Sequence, residues 1–174
     1  MNDYATHLPI LECISDNIEC ESIFEFGMGN YSTKLFADRF KKVISVEMQE
    51  EQWFKTMKEQ NFGSHVDLFC ALGKKPAIDI LNSLNNDVKK FSCIFVDGHG
   101  ENRWECINES FKKTDIIVTH DTETAGYNWY LVNKPSNFIW IDIKEYNPWT
   151  SVITSNHDVV RFLVKKFPSH TIRQ

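Results

Sequence analysis

An apolar run, Ser22-Ile23-Phe24, leads into Glu25-Phe26-Gly27-Met28-Gly29-Asn30-Tyr31-Ser32-Thr33, and a helical pattern, Lys34-Leu35-Phe36-Ala37, follows at once. Strand, glycine turn and helix start, in that order, are the context in which a nucleotide-binding turn works. A second apolar strand, Val43-Ile44-Ser45-Val46, ends at Glu47, twenty residues after Gly27. An acid so placed accepts both ribose hydroxyls of an adenosine. The turn also carries a carboxylate of its own, Glu25. That charge repels a pyrophosphate and attracts a cationic ligand. S-adenosylmethionine joins an adenosine to a sulfonium and an ammonium and has no phosphate. Ser32 replaces the third glycine of the dinucleotide fingerprint, which weighs against a nicotinamide-dependent oxidoreductase.

The rest of the chain has the same grain. Residues 4–18 read as a helix with Leu8, Leu11, Ile14 and Ile18 on one face. Short, nearly continuous apolar runs at 22–26, 43–47, 66–70, 92–97 and 115–119 read as parallel strands buried on both faces. Helical patterns separate them at 31–40, 49–60, 76–86 and 101–112. Residues 122–132 read as a further helix. Phe138–Ile143 and Ser151–Thr154 are two more strands, joined so closely through Asn147-Pro148 that they pair antiparallel. His157–Lys166 reads as a final helix that stops before Pro168. The expected fold is therefore α/β: a doubly wound, mostly parallel, Rossmann-like sheet with a C-terminal antiparallel strand pair. At 174 residues with 42% apolar content, it is expected to form one domain, residues 1–174.

Composition narrows the partners. A net charge of −5 disfavours a broad nucleic-acid footprint. No apolar run reaches the length of a membrane span, and Met1–Tyr4 lacks the basic and apolar regions of a signal peptide. Five cysteines without a C-x-x-C pair read as buried, reduced thiols in a cytoplasmic protein.

With these residues in view, the sequence resembles the class I S-adenosylmethionine-dependent methyltransferases over about residues 20–155. The resemblance is sharpest at Glu25-x-Gly27-x-Gly29-x-x-Ser32-Thr33 and at Val46-Glu47, followed six residues later by Trp53. One small branch of that family carries this wording, with a later D-G segment closing strand four and an acidic segment closing strand five. Here those segments are Asp97-Gly98-His99 and His120-Asp121-Thr122. The resemblance implies that Glu25 holds the methionine ammonium, directly or through water. Gly27, Gly29 and Ser32 belong to the cofactor turn, and Glu47 accepts the ribose hydroxyls. Met48 packs on the adenine face, Ala71 and Leu72 border its edge, and Asp97 lies beside the sulfonium. Related small O-methyltransferases hold Mg²⁺ on the D-G aspartate and an acidic pair after strand five. The matching positions here are Asp97, His120 and Asp121. The chain departs from many relatives in lacking an acid after strand three, where it reads Phe69-Cys70-Ala71-Leu72. It also lacks the Asn-Pro-Pro-Tyr type tetrapeptide of the amino-methylating DNA enzymes.

Asp97 and Asp121 both follow strands and are expected to point into the crevice at the strand ends. Asp121 also suits a helix cap. His99, between Gly98 and Gly100, is the expected catalytic base, since an imidazole suits removal of a hydroxyl proton. A solvated loop histidine is its alternative, and His120 is a second candidate. Arg103 reads as an anchor for an anionic substrate group or as a surface ion pair. His7, His65, His157 and His170 show no partner pattern and read as structural or solvated. The expected activity is methyl transfer to a small-molecule or sugar hydroxyl. A cofactor-binding module without turnover is the other reading. The oligomeric state is not legible.

Overall fold

The computed structural model describes residues 5–84 and 91–173. Residues 1–4 and 85–86, on which parts of the sequence reading fall, lie outside that range. Alternation of strand and helix builds β1 (Ser22–Phe26), α2 (Ser32–Arg39), β2 (Lys42–Glu47), α3 (Glu51–Lys58), β3 (Val66–Cys70), α4 (Lys74–Ser83), β4 (Cys93–Val96), α5 (Arg103–Ser110) and β5 (Ile116–His120). Helix α1 (Leu8–Ser15) precedes them, and β6 (Ile139–Ile143), β7 (Thr150–Thr154), α6 (His157–Lys166) and β8 (His170–Arg173) close the chain. One eight-stranded sheet results, in the order β3-β2-β1-β4-β5-β7-β6-β8. β1 to β5 are parallel, and the pairings β5–β7, β7–β6 and β6–β8 are antiparallel.

The apolar runs serve both faces of this sheet by simple alternation. Ile23, Val43, Cys93, Phe95 and Val118 point to one side, where α1, α2 and α6 cover them. Phe24, Ile44, Ile94, Val96 and Ile117 point to the other side, against Ala77 and Leu81 of α4 and Cys106 and Ile107 of α5. β1, β5 and β7 are buried along their whole length, whereas edge strand β3 is not. Among the described residues no helix is long and apolar enough to cross a membrane. All five cysteines are unpaired. Cys13, Cys93 and Cys106 are buried as expected, but Cys70, at the exposed end of β3, is not.

Two expectations give way at the C-terminal side. Residues 122–132 form no α-helix but two 3-10 turns, Ala125–Tyr127 and Trp129–Leu131. Asn128 between them is left-handed, with φ 58°, which breaks any continuous helix. The segment is instead held by its rings, Trp129 lying 5.8 Å from Tyr127 and 6.2 Å from Trp140, edge to face. The second change is β8, an added strand. Its Arg173 lies over the Trp140 ring at 4.5 Å and donates to the buried Asp142 at 2.7 Å.

The sheet order reverses at β1, where β2 leaves to one side and β4 to the other, so a crevice opens at the strand C-termini. Gly27, Glu47, Asp97 and His120 stand at or just beyond the ends of β1, β2, β4 and β5. The crevice floor is tight. Asp97 N–H donates to the Phe26 carbonyl at 2.9 Å, and Gly27 N–H donates to Val46 at 2.8 Å. Gly27 has φ +92°, and a Cβ on it would lie 2.6 Å from the Gly98 Cα. Left-handed strain and a backbone clash then add. Gly27→Ala is expected to destabilise the fold by about 2–5 kcal/mol, read from the midpoint of urea unfolding.

Candidate functional site

Glu25 is wholly buried. Ser32 Oγ donates to its Oε1 at 2.5 Å, while Thr33 Oγ1 and Ser45 Oγ donate to its Oε2 at 2.6 and 2.5 Å. Thr33 Oγ1 in turn accepts from Gly29 N–H at 3.2 Å. Burial pushes the Glu25 carboxyl up to about 7, against the pull of the three hydroxyls, and the nearby Asp97 charge adds to the rise. In this arrangement Glu25 is enclosed rather than open to an ammonium. It ties β1 to β2 and to the first turn of α2, and Ser32 is its link to the crevice.

Two cavities meet above the strand ends. The first, of about 350 Å³, has walls from His7, Asn30, Tyr31, Ser32, Trp53 and Asp97. The second, of about 240 Å³, is bounded by Gly27, Glu47, Gln49, Glu50, Trp53 and Asp97. Trp53 and Asp97 belong to both. The Trp53 indole N–H donates to the Met28 carbonyl at 2.9 Å, which pins the glycine turn to α3. Glu47 presents its carboxylate to the second cavity while its Oε1 accepts from the backbone of Gln49 and Glu50 at 2.7 and 3.0 Å. Met48 and Ala71 are buried, Leu72 is exposed, and none of the three lines either cavity.

Beyond Asp97 lies a group of charges. Arg103 is only 5% exposed. Its Nε donates to the Gly98 carbonyl at 2.9 Å and one terminal nitrogen to the His120 carbonyl at 2.5 Å. The other terminal nitrogen lies 3.0 Å from both Asp97 and Asp121, and the guanidinium carbon is 4.8 Å from the Tyr127 ring centre. Arg103 is thus neither a surface ion pair nor a free anchor. It staples the ends of β4 and β5 together. Asp121 sits there in a left-handed conformation, φ 57°, rather than as a helix cap.

His120 completes the group. Thr6 Oγ1 donates to the Pro148 carbonyl at 3.1 Å and lies 2.8 Å from His120 Nε2, so Nε2 carries the hydrogen of that pair. Nδ1 faces Asp97 and Asp121 at 3.4 and 3.3 Å. Burial disfavours the charged ring, but the Asp97 contact and both carboxylate charges outweigh it and lift the His120 pKa. Burial likewise opposes ionisation of Asp97, yet His120 and Arg103 hold its carboxyl below the usual range. Arg103 and His120 thus both stand against the same two carboxylates.

That crowding bears on Mg²⁺. His7, Asp97 and His120 offer ligand atoms within 4.8 Å of one another. Mg²⁺ demands near-octahedral, mostly oxygen ligation. Here Arg103 already lies 3.0 Å from both carboxylates, and two of the three offered groups are imidazoles rather than oxygen ligands. The residues do not fit that ion.

His99, the expected base, is exposed and is not among the residues that line the two cavities. His7, which reads as structural or solvated from the sequence alone, is 3% exposed, lines the first cavity, and has no hydrogen-bond partner among the described residues on either ring nitrogen. Its ring is 5.2 Å from Phe95 and 4.8 Å from His120. Burial lowers the His7 pKa to about 4; His120 and Arg103 push the same way, and Asp97 opposes them. No pattern within residues 4–18 marks His7, because its neighbours come from β4 and β5.

No protein-family model and no curated protein matches this sequence. Solved structures do match its fold. The O-methyltransferase TomG from Streptomyces achromogenes, solved with S-adenosylmethionine, is 17% identical with a TM-score of 0.63, over 87% of this chain and 78% of that one. An O-methyltransferase from Bacillus cereus, solved with S-adenosylhomocysteine, is 16% identical with a TM-score of 0.65, over 88% and 81%. Precorrin 8W decarboxylase from Methanobacterium thermoautotrophicum is 15% identical with a TM-score of 0.60, over 83% and 86%. The chain therefore has the Rossmann-like fold of the class I methyltransferases, a frame that also carries other chemistry.

Arg103→Ala leaves Asp97 and Asp121 beside the His120 ring but without the guanidinium, and is expected to cost about 3–5 kcal/mol in calorimetry. Added Mg²⁺ is expected to raise the melting temperature of that variant more than that of the wild type. Glu25 has a folded pKa above its ordinary 4.5, so its contribution is fully present below that value and is lost as pH rises through about 7. Between about pH 5 and pH 8 the wild-type melting temperature is expected to fall more steeply than that of Glu25→Gln.

Proposed function

We propose that this chain is an S-adenosylmethionine-dependent methyltransferase acting on a hydroxyl of a small molecule, with a sugar as the best-fitting acceptor. The observation that carries the reading is the pair of cavities meeting at Asp97 and Trp53, one holding the Glu47 carboxylate and the other the Ser32 hydroxyl and His7. When bound, the cofactor supplies a methyl group on a positively charged sulfur, which is a good leaving group. Glu47 accepts the ribose hydroxyls beside Gly27, and Met48, Ala71 and Leu72 border the adenine. Gly29 and Ser32 receive the methionine end, with Glu25 behind Ser32 as the buried counter-charge. Asp97, between the two chambers, stabilises positive charge at the reacting centre. Since the leaving group needs little help, the protein's main work is alignment of the acceptor.

The first chamber combines the aromatic rings of Tyr31 and Trp53 with polar groups from Asn30, Ser32 and Asp97. Rings with interspersed polar atoms suit a polyhydroxylated acceptor. The negative net charge favours such a molecule over a nucleic acid. Five unpaired thiols suit a reducing, cytoplasmic setting.

Glu47→Ala removes two charge-assisted hydrogen bonds, each worth roughly 1.5–3 kcal/mol. Affinity for S-adenosylhomocysteine, measured by titration calorimetry, is expected to fall at least about tenfold while the fold survives. Unchanged affinity in a folded variant would reject the assignment of the second chamber to the adenosine.

A further inference from the structure

We infer that Arg103 is the resident cation of this site: it fills the position against Asp97 and Asp121 that a divalent metal ion would need, so methyl transfer proceeds here without one. The inference rests on the methyltransferase reading above and adds the residue that holds the two carboxylates in place.

The two aspartates come together for a topological reason. Asp97 follows β4 and Asp121 follows β5, and these strands are parallel neighbours, paired from Ile94 with Ile117 to Val96 with Thr119. Carboxylates that leave the same ends of adjacent strands repel each other unless a cation meets both. A hard divalent ion is one solution, held by one or two carboxylates together with water. A guanidinium is another. It stays charged at any working pH and presents its donors in a fixed plane. Arg103 directs that plane at both strand ends. Nε donates to the carbonyl of Gly98, which follows Asp97, and one terminal nitrogen donates to the carbonyl of His120, which precedes Asp121. The other terminal nitrogen lies 3.0 Å from each carboxylate. One side chain thus fixes the backbone and the charge of both aspartates.

Arg103 is seated for these carboxylates rather than for its own helix. It is the first residue of α5, where the helix dipole disfavours a positive charge. Its side chain is 6% exposed and those of Asp97 and Asp121 are 22% exposed, so the guanidinium lies on the protein side of the pair. The Tyr127 ring covers the guanidinium at 4.8 Å, and Tyr127 packs so closely on Gly100 that a Cβ there would collide with the ring. Moving Arg103 aside to admit a metal would strand a buried charge and open a void beneath that ring, and both are costly. Arg103 is not among the residues that line the two chambers, whereas Asp97 lines both. It is therefore a positioning residue, acting on cofactor and acceptor through Asp97.

The test titrates the full chain with Mn²⁺, read from the electron paramagnetic resonance signal of the free ion, with Asp121→Asn as the control. Wild type and control are expected to take up the same amount, which places any bound Mn²⁺ elsewhere. Uptake by the wild type that the control loses would overturn the inference. Arg103→Ala is expected to take up a single additional Mn²⁺, lost again when Asp121→Asn is added. A folded Arg103→Ala that takes up no more than the wild type would also overturn it; if that variant does not fold, the comparison of wild type with control decides alone. Titration calorimetry with S-adenosylmethionine gives the second arm. Wild-type affinity is expected to agree within about twofold between EDTA and excess Mg²⁺. Arg103→Ala is expected to bind about tenfold more weakly in EDTA and to regain part of the loss with Mg²⁺. A wild type that binds only with Mg²⁺ would overturn the inference. Absence of binding under both conditions would reject the methyltransferase reading and leave the Mn²⁺ result to decide on Arg103.

Discussion

A buried carboxylate holding three hydroxyls is the constraint around which this molecule is arranged. Glu25 sits in the middle of the sheet with no access to water, yet it is ringed by Ser32, Thr33 and Ser45 from two different elements. A carboxyl in such a place is tolerated only because its polar partners are all supplied. The glycine turn, the first turn of α2 and the middle of β2 are therefore positioned by the same two oxygens. Thr33 passes the constraint on to Gly29, and Trp53 adds a second tie at Met28. The walls of both chambers descend from these few bonds.

A second, separate set of charges closes the other end of the crevice. Arg103 spends its donors on two strand-end carbonyls and two aspartates. His120 faces the same two aspartates. The His7 ring nitrogens, in contrast, find no hydrogen-bond partner among the described residues. Satisfied and unsatisfied polar groups thus lie within one side chain of each other.

The fold was legible because its elements are built from local patterns. Continuous apolar runs mark strands buried on both faces, and the short link through Asn147-Pro148 marks an antiparallel pair. Helix α6 falls on the residues that its periodicity predicts. The 122–132 segment misled because its apolar rings satisfy edge-to-face packing rather than helical periodicity. β8 is four residues long and half exposed, which leaves little pattern to read. At the crevice, Glu47 and Asp97 stand where the strand ends in the sequence put them, whereas Glu25, expected to meet an ammonium, is enclosed within β1. The burial of His7 and the stapling by Arg103 were not legible, since both depend on residues more than ten positions away that only the folded sheet brings together.

Trp53 has one indole and two chambers to border. Its N–H is fixed to the carbonyl of Met28, a residue of the turn that receives the cofactor. A shift of the glycine turn at Met28 therefore moves a wall that both chambers share, so that neither can change shape without the other.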